Sequence, residues 1–117
     1  MLRGGKWGPN YGKEAVAGAH KQLVAAGVRS QLLVDCSHGN SNKDHTRESI
    51  AFRDVVGQRV ARDADIIGCM LESNLFPGSQ KLDGGPSRLK YGVSITDACI
   101  GWEETEELLT WAHKELG

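Results

Sequence analysis

The stretch that decides the fold is QLLVDC at residues 31–36, where apolar side chains run almost without interruption. The polar stretch SHGNSNK follows it at once, at residues 37–43. Short, continuous apolar runs are typical of strands that are buried on both faces of a parallel sheet. The same pattern recurs at residues 66–71 (IIGCML), which are followed by Glu72 and a long polar segment. The two runs therefore predict parallel strands that each end in a polar loop.

Three other segments carry apolar side chains at helical spacing, namely residues 13–26, 43–62 and 97–116. Gly27 follows the first of them, as expected at the C-terminal end of a helix. Residues 73–96 contain glycine and proline too often for a regular element, and they predict a long loop of the kind that is usually functional or disordered. Residues before the first helix could form the end of another strand.

Alternating helices and buried strands indicate an α/β fold with a parallel sheet, either doubly wound or a β/α barrel. Two strands complete neither architecture, because a two-stranded sheet is marginal in water. The 117 residues fit a single domain, residues 1–117, with one modest core. We therefore expect a part of a larger sheet, or a protomer that finds its missing strands in a partner.

Composition and charge exclude several functional classes. The 14 basic and 15 acidic residues give a net charge of −1, which provides no field to attract nucleic acid or anionic lipid. No apolar run approaches the roughly 20 residues of a membrane span, and the first residues lack the apolar region of a signal peptide, so a cytoplasmic location is expected. The widely spaced cysteines form no CxxC motif, which predicts reduced, mostly buried thiols at Cys36, Cys69 and Cys99.

A metal site is one interpretation of the polar residues that follow the strands. Ligands of parallel α/β folds bind at the carboxyl ends of strands, and His38 and Glu72 follow the two predicted strands. Asp97, where the loop gives way to the last helix, is the candidate for a third ligand. Imidazole and carboxylate donors suit divalent Mn, Fe or Zn. The alternative is a hydrogen-bonded His38, a solvated Glu72 and an Asp97 that caps the last helix.

A second candidate site is Arg3, which precedes Gly4 and Gly5. A guanidinium and free backbone amides would suit an anion such as phosphate or carboxylate. The alternative is a glycine turn after a strand, with a solvated arginine.

Asp35, Ser37 and His38 are the residue types of a hydrolase triad, but triad partners meet through the fold rather than by adjacency. No GxSxG motif accompanies them, so nucleophilic catalysis by Ser37 is disfavoured. The remaining polar and aromatic side chains of interest are expected to be structural: solvated His20, His45 and His113, and Trp102 and Trp111 packing the last helix.

Four segments carry a resemblance to a known family: LRGGKWGPNY at 2–11, VDCSHGNSNKDH at 34–45, IIGCMLESNL at 66–75 and YGVSITDACIGWEETEELL at 91–109. Together they resemble the C-terminal portion of the class I, microbial type of 3-deoxy-D-arabino-heptulosonate 7-phosphate (DAHP) synthase. The resemblance covers nearly the whole chain, and SITDACIGW is its most specific part. It implies part of a (β/α)8 TIM barrel, from the end of strand six through helix eight.

The resemblance also implies a function. The family condenses phosphoenolpyruvate with erythrose 4-phosphate in a metal-dependent aldol-type reaction, which gives DAHP and phosphate in the first step of the shikimate pathway. By motif match, His38, Glu72 and Asp97 would be three of four metal ligands, with His38 and Asp97 also orienting a water or the aldehyde. Arg3 would contact phosphoenolpyruvate. Full-length members are expected to be homo-oligomers.

This sequence also departs from the family pattern. Full-length chains are considerably longer, and their fourth metal ligand, a cysteine, belongs to a motif that is absent here. The isolated chain is therefore expected to be an inactive part of a synthase. The alternative is a non-catalytic remnant or binding module that keeps part of the metal site. A related phosphoenolpyruvate-dependent sugar-acid synthase is disfavoured by the SITDACIGW string.

Overall fold

The computed structural model describes residues 1–61 and 65–117 and has an α/β arrangement. Short 3-10 turns occur at His38–Ser41, His45–Arg47 and Pro86–Arg88. The regular elements, in chain order, are α1 (Lys13–Ala25), β1 (Leu32–Asp35), α2 (Glu48–Val60), β2 (Ile66–Met70) and α3 (Trp102–Leu116).

The sheet consists of β1 and β2, which are parallel, as the two apolar runs predict. Val34 lies opposite Cys69 and Asp35 opposite Met70, so the carboxyl ends of both strands meet at one edge. Leu2 pairs with the other side of β1 through a parallel bridge to Val34. The N-terminal residues therefore add a short third segment, as the sequence suggested for the end of a preceding strand.

Helices α2 and α3 pack against each other, and α2 also contacts β2. The ring of Phe52 lies 6.5 Å from that of Trp111 at an angle of 60°, which is the tilted arrangement that aromatic pairs favour. All five elements contribute to one core, whose buried members include Val16, Leu32, Val34, Phe52, Val55, Ile66, Ile100 and Leu108. Trp111 packs as predicted, whereas the prediction for Trp102 is wrong because its side chain is half exposed.

The second strand differs from its prediction. Only Ile66 of β2 is buried, while Ile67 and Cys69 are exposed. Among the described residues no strand pairs with the outer edge of β2. The apolar run at residues 66–71 therefore predicts a buried strand, whereas the structure has an edge strand. The same exposure makes the expectation of mostly buried cysteines wrong, since Cys36 alone is fully buried and all three thiols are free.

Two helices begin later than their apolar spacing predicts. Asn42 and Lys43 have left-handed φ values of 54° and 60°, which are incompatible with a helix, so α2 begins at Glu48 rather than at residue 43. The predicted end at residue 62 lies outside the described residues. Helix α3 begins at Trp102 because Ile100 pairs with Ser73 in a parallel bridge.

The long loop at residues 73–96 is ordered by hydrogen bonds. The Gln80 side chain accepts a hydrogen bond from the Lys90 amide and donates to the carbonyls of Lys90 and Val93. The amide of Gly78 donates to the carbonyl of Cys99 at 2.9 Å. These bonds tie the loop back to the segment that carries Asp97. No helix in the described part of the chain is long and apolar enough to cross a membrane.

Candidate metal centre

His38 follows β1 and is turned back towards the sheet by an unusual backbone conformation. Its φ is 48°, in the left-handed region that residues other than glycine seldom adopt. The turn is closed by the amide of Lys43, which donates to the His38 carbonyl at 2.8 Å. Strained positions of this kind cluster at functional sites.

The two ring nitrogens of His38 face different partners. Nδ1 lies 2.8 Å from Oδ2 of Asp35, whose side chain is 1% exposed. Nε2 lies 3.3 Å from Oε1 of Glu72 and 3.6 Å from Oδ2 of Asp97. When Nδ1–H donates to the buried carboxylate, the lone pair of Nε2 is left for a cation.

Glu72 is held in place through its backbone by two buried side chains. Its amide donates to the Ser37 hydroxyl at 3.0 Å and to Oε2 of Glu48 at 3.1 Å. The Ser37 hydroxyl donates in turn to the same Glu48 oxygen at 2.9 Å. Burial raises the pKa of Glu48 to about 7. This network joins the end of β1, the start of α2 and the end of β2.

Asp97 reaches the site from the other side. The amide of Ile100 donates to the Glu72 carbonyl at 3.0 Å, which sets residues 97–100 beside the end of β2. The Asp97 side chain is 65% exposed and does not cap α3, whose N-terminal capping position is Gly101. The interpretation of Asp97 as a helix cap is therefore wrong.

One ligand atom from each of His38, Glu72 and Asp97 lies within 4.8 Å of the other two. The cleft between them has a volume of about 30 Å³ and is also lined by Ser41, Lys43 and Glu48. One imidazole nitrogen and two carboxylates are ligands that suit divalent cations. A bound cation would also reduce the electrostatic repulsion between the neighbouring carboxylates. The donor chemistry therefore fits a metal ion.

Comparison with known proteins identifies the family of this chain. The sequence profile described as the DAHP synthetase I family matches residues 1–110. The chain belongs to the DAHP synthetase I family. It is 49% identical over 116 residues to the Tyr-sensitive phospho-2-dehydro-3-deoxyheptonate aldolase of Enterobacter agglomerans, covering 99% of this chain and 54% of that one. The Tyr-sensitive enzyme of Escherichia coli is also 49% identical, with 99% and 32% covered.

A solved member of the family has the same fold. The phospho-2-dehydro-3-deoxyheptonate aldolase of Francisella tularensis superposes with a TM-score of 0.90 at 38% sequence identity. The match covers 97% of this chain and 33% of that structure. The chain thus spans about a third to a half of the length of these DAHP synthetase I relatives.

Arg3 of this DAHP synthetase I chain lies next to the His38 turn. The Arg3 carbonyl accepts a hydrogen bond from the Gly39 amide at 3.1 Å. A Cβ at Gly4 would lie 2.5 Å from the Cα of Gly39, so this close backbone approach requires glycine. The Arg3 side chain is exposed.

The proposed role of free glycine amides is wrong. The amide of Gly4 donates to Oδ1 of Asn10 at 2.7 Å, and that of Gly5 donates to the Gly8 carbonyl at 2.9 Å. An anion at Arg3 would therefore have the guanidinium as its donor. The hydrolase interpretation also finds no support, because the Ser37 hydroxyl is bonded to Glu48 and not to His38.

The other histidines lie away from the cleft. His20 is not simply solvated, because its Nδ1 lies 2.9 Å from both Ser30 Oγ and Asp65 Oδ2. His113 is exposed on α3, as expected. His45 is half-buried in its 3-10 turn.

The sequence alone does not place two buried carboxylates, Asp35 and Glu48, beneath the candidate site. The sequence pattern suggests Asp35 only as a triad member, although its position three residues before His38 allows the hydrogen bond that the structure shows. Glu48 looked like one charge among many in a solvated segment. Its only signal was its place at the start of a helix that faces a strand end.

Proposed function

We propose that this chain is the C-terminal, metal-binding part of a DAHP synthase. In the complete enzyme, phosphoenolpyruvate and erythrose 4-phosphate would condense with uptake of water to give DAHP and phosphate, the first step of the shikimate pathway. The convergence of His38, Glu72 and Asp97 donor atoms in a member of the DAHP synthetase I family is the observation that carries the proposal. The chain would supply the end of strand six through helix eight of a (β/α)8 barrel.

His38 Nε2 and the Glu72 and Asp97 carboxylates would hold a divalent cation such as Mn, Fe or Zn. When bound, the cation supplies Lewis acidity, either towards the sugar aldehyde or towards a water. His38 and Asp97 would orient that aldehyde or water in the cleft. Arg3 would contact an anionic group of phosphoenolpyruvate with its guanidinium.

The site is incomplete in the isolated chain for this reaction. Among the cleft-lining residues that the structure describes, Lys43 is the only lysine or arginine, whereas two phosphorylated substrates need several cationic contacts. We therefore propose that the isolated chain binds metal without turnover and that catalysis belongs to the longer assembly. We further propose that the complete enzyme is a cytoplasmic homo-oligomer.

A chimera tests the proposal. Residues 1–117 would replace the matching third of the Tyr-sensitive Escherichia coli enzyme, and phosphate release would be measured with Mn²⁺, phosphoenolpyruvate and erythrose 4-phosphate. The chimera should turn over, while the isolated chain should not. His38→Ala should abolish turnover. His113→Ala, which changes an exposed histidine on α3, is the control and should leave turnover within about twofold.

Two outcomes would contradict the proposal. Turnover by the isolated chain would overturn the incomplete-site interpretation. A folded chimera that binds Mn²⁺ but releases no phosphate would favour the alternative, a non-catalytic remnant that retains part of the metal site.

A further inference from the structure

We propose that Asp35 is a positioning residue that fixes the tautomer of His38 and so presents Nε2 to a metal ion. The inference rests on the proposed metal site and assigns a role to a residue outside its three ligands. Oδ2 of Asp35 lies 2.8 Å from Nδ1 of His38, on the side of the ring away from Glu72 and Asp97.

Asp35 is well suited to hold a ring in one orientation because it is itself held. Its amide donates to the Leu2 carbonyl at 2.8 Å, and its own carbonyl accepts from Nδ2 of Asn40 at 2.7 Å. It is the last residue of β1 and lies opposite Met70 in the sheet. The carboxylate therefore has little freedom to follow a rotating imidazole.

The two carboxylate oxygens have separate partners. Oδ1 accepts a hydrogen bond from the Ser37 amide at 2.8 Å, which closes a local turn. Oδ2 is left for His38. Because an ionised carboxylate only accepts hydrogen bonds, a neutral His38 must carry its proton on Nδ1, and the Nε2 lone pair then points towards Glu72 and Asp97.

Asparagine at this position separates a positioning role from a merely structural one. The Ser37 amide can only donate, so the oxygen of an asparagine must stay on that side and keep the turn. The amide NH₂ would then face Nδ1 and require it to accept. Asp35→Asn should therefore preserve the local shape but move the His38 proton to Nε2, where it blocks metal binding.

The first measurement is the tautomer of His38 in the metal-free chain, read from long-range ¹H–¹⁵N correlations of the imidazole at a pH where the ring is neutral. Wild-type chain should show His38 protonated at Nδ1, and Asp35→Asn should show it protonated at Nε2. Asp65→Asn is the matched control, because Asp65 lies 2.9 Å from Nδ1 of His20, and it should leave His38 unchanged.

The second measurement is Mn²⁺ affinity, followed by the loss of the free-ion electron paramagnetic resonance signal. Asp35→Asn should weaken binding by about 10- to 100-fold, as is typical when a carboxylate behind a histidine ligand is lost. Asp65→Asn should not change it. Unchanged Mn²⁺ affinity in Asp35→Asn would overturn the inference.

Failure of the metal site and failure of the inference give different results. If His38→Ala binds Mn²⁺ as tightly as the wild type, the proposed metal site fails, whatever the tautomer. If wild-type His38 carries its proton on Nε2, the role of Asp35 fails even where Mn²⁺ binds. This last observation needs no variant, so it decides the question should Asp35→Asn not fold.

Discussion

Cys36 and Cys69 lie on neighbouring strand segments, and their thiol pKa values are shifted in opposite directions. The thiol hydrogen bond with Cys69, together with burial, raises the pKa of Cys36 far above its usual range, while the same bond lowers the pKa of Cys69. Because Cys69 is also exposed and the thiolate is the reactive form, iodoacetamide should modify Cys69 before Cys36. Peptide mass spectrometry after timed alkylation checks this order. Equal rates in the folded chain would contradict it.

Asp44, just before the 3-10 turn that leads into α2, makes the free energy of unfolding depend on pH. Its Oδ1 accepts hydrogen bonds from the side chain and the amide of Thr46, and these bonds lower the pKa of Asp44. A lowered pKa stabilises the folded chain above the unfolded value of about 3.9, and this stabilisation is lost as the pH falls through the folded pKa. Asp44→Asn should therefore reduce the free energy of unfolding at pH 7, with a smaller deficit at pH 3.

Urea unfolding at both pH values measures this effect. Asp83→Asn, in the exposed loop, is the control, and its effect on the free energy of unfolding should be the same at pH 7 and pH 3. A deficit for Asp44→Asn that is the same at pH 7 and pH 3 would indicate that the charge of Asp44 does not contribute.

At the scale of elements, the contact between α2 and α3 depends on Phe52. Its ring is 2% exposed and packs against Trp111. Phe52→Ala should lower the free energy of unfolding by about 3–5 kcal/mol, since it leaves a cavity in the core. Phe76→Ala, at a ring that is 55% exposed, should change it by less than about 0.5 kcal/mol. Similar losses in the two variants, measured by denaturant unfolding, would show that the helix contact is not the source of the stability.

Apolar runs and helical spacing predicted the type and order of the helices and strands, because burial imposes those periods on the sequence. They did not predict where helices begin. Ile100 continues the helical spacing of α3 but lies in a bridge to Ser73. Lys43 opens the charged segment that was predicted to form α2, but its backbone is left-handed. Hydrogen bonds between residues far apart in the chain set these boundaries, and a local pattern does not contain them.

At the scale of the whole molecule, the candidate site is predicted by topology and completed by contacts. Polar residues after parallel strands predicted that His38 and Glu72 share one edge. The position of Asp97 at the end of the long loop made it the candidate third ligand, and the family resemblance made that assignment specific. The buried layer beneath them was not predictable from spacing. Asp35 and Glu48 acquire their roles only because β1, β2 and α2 meet there. The other aspartates and glutamates that the structure describes are at least partly exposed.

The central claim is that His38, Glu72 and Asp97 bind one divalent ion. Anomalous diffraction from crystals of the chain grown with Mn²⁺ tests it most directly, because it locates the ion without reference to activity. We predict one anomalous peak in the cleft, bonded to Nε2 of His38 and to carboxylate oxygens of Glu72 and Asp97. A peak elsewhere, or none in the cleft at saturating Mn²⁺, would contradict the account.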